Sequence, residues 1–196
     1  KQAIEFAKSN KKILAQELTD QTKYQSDPSP ISGFMAGSPG AGKTEVSKEL
    51  IGILEKGVPR RVIRFDGDEL RSRFPGYTGA NSYLFQGAIS IVLDKAHDLA
   101  LEHGQAFIFD GTFSNYERAV KNIQRSLDRN RRVFIFYVYQ KPEVAWKFTQ
   151  AREKKEGRHI PKDKFITQFL AARETVTRIR DESDERVNLF SIKKTF

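Results

Sequence analysis

The run Gly37-Ser38-Pro39-Gly40-Ala41-Gly42-Lys43-Thr44 constrains this chain more than any other segment. It fits the pattern G-x-x-x-x-G-K-[ST], in which glycines let successive backbone N–H groups turn inward, and which needs a buried strand before it and a helix after it. Both neighbours are written in the pattern: residues 31–36 are mostly apolar, and residues 42–55 carry apolar side chains at helical spacing. Such a loop receives the phosphates of a nucleoside triphosphate, and the helix N-terminus adds partial positive charge. Lys43 would bridge the β- and γ-phosphates, and the Thr44 hydroxyl would ligate magnesium. The expected cofactors are therefore ATP and Mg2+, held by Gly37, Ser38, Pro39, Gly40, Ala41, Gly42, Lys43 and Thr44. An ordinary strand-to-helix turn is the competing reading, and it has no use for all four fixed residues at once.

The remaining chain alternates short apolar runs with amphipathic ones. Residues 2–18 read as an amphipathic helix laid on the domain, and Gln25-Ser26-Asp27-Pro28-Ser29-Pro30 breaks it. After the 42–55 helix come Val58-Pro59, a strand at 61–66, a polar loop at 75–79 and a long helix at 81–103 that Gly104 ends. A strand at 106–110, a helix at 115–129 and a strand at 133–139 follow, then a helix that Pro142 opens and that runs to about residue 154. A basic loop leads to a last helix at 161–182 and a possible edge strand at 187–192. Strands alternating with helices predict an α/β fold of the P-loop NTPase kind, a mostly parallel sheet covered by helices on both faces. With 196 residues and 15 Phe for core bulk, residues 1–196 are expected to form one domain, with helix 2–18 packed on it and a basic lid at about 152–162.

The segments that would mark a membrane span or a secretory leader are not seen, so the chain reads as soluble and cytoplasmic. It lacks cysteine, which excludes disulfides and thiolate metal sites. It begins at Lys1 rather than Met, as a piece of a longer protein also would. The charge balance of 34 basic to 25 acidic residues, +9, suits anionic substrates, nucleic acid or an acidic partner equally. Because the basic residues are scattered and not interleaved with aromatics, nucleic acid is not favoured.

A P-loop does not say where the γ-phosphate goes. The sequence has no guanine-reading N-K-x-D and no ABC-type signature, which leaves transfer to a bound acceptor as the natural class. That reaction needs a carboxylate to orient or deprotonate the acceptor hydroxyl, and cations for the transferring group. The 61–66 strand ends in Asp66-Gly67-Asp68, at the carboxyl end of a parallel strand where ligands lie. Asp68, which precedes Glu69-Leu70-Arg71, is as well placed to cap a helix. Asp66 is either support for a magnesium site or a structural group. Asp110 ends the 106–110 strand before Gly111-Thr112, as a magnesium-organising acid or a loop cap would. Arg152 and Arg158, with His159, Lys162 and Lys164, form either a lid that neutralises transferred charge or a solvated loop.

In order, the segments FMAGSPGAGKTEVSKEL, RVIRFDGDELRSRFP, LDKAHDLALEHGQAFIFDGT and AREKKEGRHIPKDKF resemble the zeta toxin family, the kinases of toxin–antitoxin systems, over roughly residues 31–160. The resemblance implies that Asp68 is the catalytic base for the sugar 3′-hydroxyl, that Lys43 is the P-loop lysine, and that Arg152 and Arg158 are lid arginines. It implies substrate contacts for Asp94, Asp110 and Thr112. The implied activity is ATP-dependent phosphorylation of UDP-N-acetylglucosamine or a related UDP-sugar, with an antitoxin partner that inserts near the ATP site. Glutamate is the family's residue where this chain has Asp94 and Asp110, and the shorter side chain retracts each carboxylate by roughly 1.5 Å. A kinase of another small molecule or of a polynucleotide end, and an ATP-switched binding module, remain the alternatives.

Overall fold

The computed structural model describes residues 1–57 and 61–194, so the expected Val58-Pro59 turn lies outside the described residues. Five strands, β1 (Ser32–Ala36), β2 (Val62–Asp66), β3 (Ala106–Asp110), β4 (Val133–Tyr139) and β5 (Val187–Lys193), form one sheet in the order β2-β3-β1-β4-β5. Every pairing is parallel. All carboxyl ends therefore meet at one edge, and the first strand sits in the middle with neighbours reached by crossovers in opposite directions. That is the geometry which opens a ligand crevice above β1.

Helices α1 (Gln2–Leu18), α2 (Lys43–Glu55), α3 (Gly67–Arg71), α4 (Gln86–Glu102), α5 (Tyr116–Leu127), α6 (Pro142–Glu156) and α7 (Lys162–Glu182) clothe the sheet. Side-chain alternation along the strands divides the core in two. Phe34, Ile63, Phe65, Phe107 and Ile135 face α4, α5 and α7, where they meet Ala96, Ala100, Ile123, Val176 and Ile179. Met35, Val62, Ile108, Phe136 and Val138 face α2, against Val46, Leu50 and Ile51. A third cluster joins Ala7 and Leu14 of α1 to Leu70, Phe74, Ile89 and Val92, so α1 rests chiefly on α4 and forms an outer layer. No helix among the described residues is long and apolar enough to cross a membrane.

Two boundaries differ from the sequence pattern. The predicted 81–103 helix is a 3-10 turn, Ser82–Phe85, followed by α4, because Phe85 must swing inward to meet Phe74 and Tyr77 edge-on. The basic segment predicted as loop from residue 154 is helical to Glu156: Lys154 and Lys155 occupy the last turn of α6, where cations favour the helix dipole, and Gly157 at φ 69° ends it. The loop between α6 and α7 is thus confined to residues 157–161.

Candidate active site

Residues 37–42 pass directly from β1 into α2, and three glycines set their path. Gly37, Gly40 and Gly42 have φ of 139°, 72° and 89°, values open to glycine and strained for L side chains. Space forbids a side chain as well: a Cβ on Gly37 would stand 2.4 Å from the Val138 carbonyl oxygen, and one on Gly40 2.1 Å from that of Ala145. The loop is thereby clamped between β4 and α6. Its start is fastened by the Gly37 N–H, which donates to the Thr112 carbonyl at 3.1 Å. Lys43 folds back beneath the loop and donates from Nζ to the carbonyls of Gly37 (3.0 Å) and Ser38 (2.7 Å). Its desolvation there, reinforced by Arg158 and Arg152 and opposed by Asp110 and Asp68, lowers its pKa to about 8.

Above the strand ends lies a cleft of about 1000 Å³. Pro39, Gly40, Ala41, Gly42, Lys43 and Thr44 line it, while Gly37 and Ser38 stand behind, Ser38 being buried. Asp68, Asp110, Thr112, Arg152 and Arg158 line the same cleft. Asp94 does not: its Oδ1 accepts from Arg118 at 2.6 Å in a side pocket beyond, and Arg118, which also donates to Ser90, lines both spaces. Asp94 of α4 is committed to the arginine, outside the cleft.

Asp66, not Asp68, caps α3, accepting from the Asp68 N–H at 2.7 Å. This frees the Asp68 side chain, and three arginines converge on it. Arg71 holds Oδ1, while Arg158 holds Oδ2, with Arg152 3.6 Å from the same oxygen. Asp66 and Asp110 are register partners on β2 and β3, and Arg64 donates to both carboxylates at 2.7 Å. Burial, reinforced by the charges of Asp68 and Asp110, holds Asp66 above the usual carboxylate range. Asp110 also accepts from the Ser47 hydroxyl of α2 at 2.9 Å. Thr112 ties the loop after β3 to the P-loop through its carbonyl, and its hydroxyl shares a hydrogen bond with Ser114 at 2.9 Å. The next residue, Phe113, takes the left-handed φ of 59° with its ring against Phe34, local strain of about 1 kcal/mol or more that the core sustains beside the site.

Sequence reasoning missed Arg64, Arg71 and Arg118. Arg64 had a signal, because a charged residue inside a five-residue strand of a parallel sheet needs a buried partner. Arg71 had a weaker one: it follows Asp68 by three residues, so a helix beginning at Gly67 brings the two side chains together. Arg118 had none, since its role depends on α4 and α5 lying side by side.

The fold has relatives among solved structures. The PezAT toxin–antitoxin system of Streptococcus pneumoniae superposes with a TM-score of 0.66 at 20% identity, over 94% of this chain and 76% of that one. AvrRxo1-ORF1 in complex with ORF2, solved with ATP, gives 0.59 at 17% identity over 96% and 60%. A deoxyadenosine kinase from M. mycoides gives 0.51 at 17% identity over 82% and 88%. These likenesses show the fold, the α/β fold of P-loop NTPases, and this chain spans about three-fifths of the matched chain in the AvrRxo1-ORF1:-ORF2 complex. No curated protein matches the sequence. The Zeta toxin family model matches residues 15–194, from within the first helix to past the last strand, and the chain belongs to that family.

Proposed function

We propose that the chain is a magnesium-dependent kinase that moves the γ-phosphate of ATP to a hydroxyl of a UDP-sugar such as UDP-N-acetylglucosamine, the 3′-hydroxyl of the amino sugar being the favoured acceptor. The reading includes a toxin role, with an antitoxin in the same or another chain as its partner. The observation that carries it is the convergence of Lys43, Asp68, Arg152 and Arg158 on one cleft above β1.

The glycine cradle, clamped at positions where a Cβ would collide with backbone, leaves the tight backbone turn that a polyphosphate needs. Magnesium, when bound, would neutralise charge on the β- and γ-phosphates; the Thr44 hydroxyl would hold it, with the Asp110 carboxylate behind. Asp68 accepts the proton of the acceptor hydroxyl while the new O–P bond forms and the bond to ADP breaks. Before that, Arg152 and Arg158, which rest on Asp68, move to the more densely charged γ-phosphate and leave the carboxylate free to act as the base. Arg71, 7% exposed, stays behind and fixes the orientation of Asp68.

Mass spectrometry of a panel of UDP-sugars incubated with ATP and magnesium tests the substrate class. A gain of one phosphate on one of them is expected, and none on any would reject it. Asp68→Asn should lower transfer by about a hundredfold or more with ATP affinity retained; undiminished transfer would remove Asp68 from the base role. One observation favours another acceptor on the same reaction. Asp94 engages Arg118 outside the cleft, so adding a nucleoside and a polynucleotide end to the panel separates the two readings.

A further inference from the structure

Just beyond β5 the backbone N–H of Lys194 donates to the Tyr139 carbonyl at 3.0 Å, one step past the Tyr139–Lys193 register pair. The β4–β5 ladder therefore fixes where the Lys194 side chain starts, and that start is beside the P-loop. Its Cε lies 3.5 Å, and its Cγ 4.0 Å, from the point where a Cβ on Gly42 would stand, with a Glu45 carboxylate oxygen 3.7 Å from the same point. Lys194 lines the cleft together with Pro39 to Thr44.

Lys43 serves the opposite end of this loop. Its ammonium sits at the Gly37 and Ser38 carbonyls and feels the charges of Asp110, Arg158, Asp68 and Arg152, which places it at the end where a phosphoryl group would leave. A polyphosphate with its terminal group there runs along the loop toward Gly42 and Glu45, and brings its nucleoside end under Lys194. A cation at the N-terminus of α2 is repelled by the helix's partial positive charge, and an anion seated in the loop reverses that balance.

We infer that Lys194 is a second nucleotide-binding lysine, which takes the α-phosphate end of the donor while Lys43 takes the terminal phosphates. The inference rests on reading the loop as an ATP site. It assigns the carboxyl end of β5, which no motif marks, to recognition of the part of the donor that ATP and ADP share.

Calorimetric titration of the chain with ATP and with ADP tests it, using Lys194→Met, Lys194→Arg and Lys43→Met. Lys194→Met should weaken both nucleotides by the same factor, about tenfold for one charge-assisted contact. Lys194→Arg should stay within about twofold of the parent chain, and Lys43→Met should cost ATP more than ADP. Since the backbone and not the side chain of Lys194 makes the strand contact, the melting temperature should not change. Undiminished affinity in Lys194→Met, or a loss confined to ATP, overturns the inference. A parent chain that binds neither nucleotide overturns the ATP-site reading itself, and that outcome is distinct from the other two.

Discussion

Lys43 concentrates the electrostatics of the site in one side chain. Beneath the loop it has two carbonyl acceptors and is partly buried, and desolvation lowers its pKa from 10.5 to about 8. Phosphates arriving in the cradle favour the charged form and draw the proton back. Nucleotide binding at pH 7 should therefore take up only about 0.1 proton at this group, whereas at pH 9 it should take up about 0.9, and affinity should fall by up to about tenfold per pH unit well above pH 8. Calorimetry in two buffers of different ionisation heat reads the uptake. Uptake that stays at zero up to pH 9 would show that the free ammonium keeps its full water-like pKa. The pairings around Asp68 follow the same logic of scale: a carboxylate one-third exposed holds three guanidinium groups only while nothing more negative is near.

At the scale of elements, the end of α6 and the five-residue loop after it are latched to the body through Asp68. Arg152 projects from α6 and Arg158 from the loop, so both sides of Gly157 are fastened to one carboxylate. Asp68→Asn removes the charge and leaves the shape. With roughly 1 kcal/mol of pairing lost, limited trypsin treatment should cut between residues 154 and 162 about fivefold faster than in the parent chain. Equal rates would mean that α7 packing, not Asp68, holds this segment. Much of this architecture was legible before any coordinates, because β1, β3, β4 and α1 announce themselves by apolar period and by Gly and Pro at their ends. The P-loop carried its own context of strand and helix. What stayed hidden was side-chain commitment across elements. Whether Asp66 or Asp68 caps α3 turns on a two-residue shift of the helix start, and whether Asp94 reaches the cleft turns on where Arg118 of α5 stands. Lys194 was hidden for the same reason, since parallel pairing with β4 brings it to the P-loop across about 150 residues of sequence.

For the whole molecule, the sheet core depends on an uncharged histidine. His97 of α4 is fully buried with Phe34, Phe107 and Phe109 around its ring, and Nδ1 meets the Arg125 guanidinium at 2.9 Å. Burial first, and then the positive charges of Arg125, Arg131 and Arg129, push its pKa down to about 2. An unfolded chain would protonate the same imidazole near pH 6.5. Between those two values the unfolded state binds a proton that the folded state refuses, so stability falls as the pH drops below 6.5 and is fully present above it. At pH 5 the loss is about 2 kcal/mol, a large part of the margin of an ordinary domain. Urea unfolding at pH 7 and pH 5 should show that decrease, and His97→Gln, which can still accept from Arg125 but does not titrate, should remove most of the difference even if it is less stable at pH 7. A difference of the same size in His97→Gln would assign the acid sensitivity to the carboxylates at the strand ends and leave the buried histidine a purely steric part of the core.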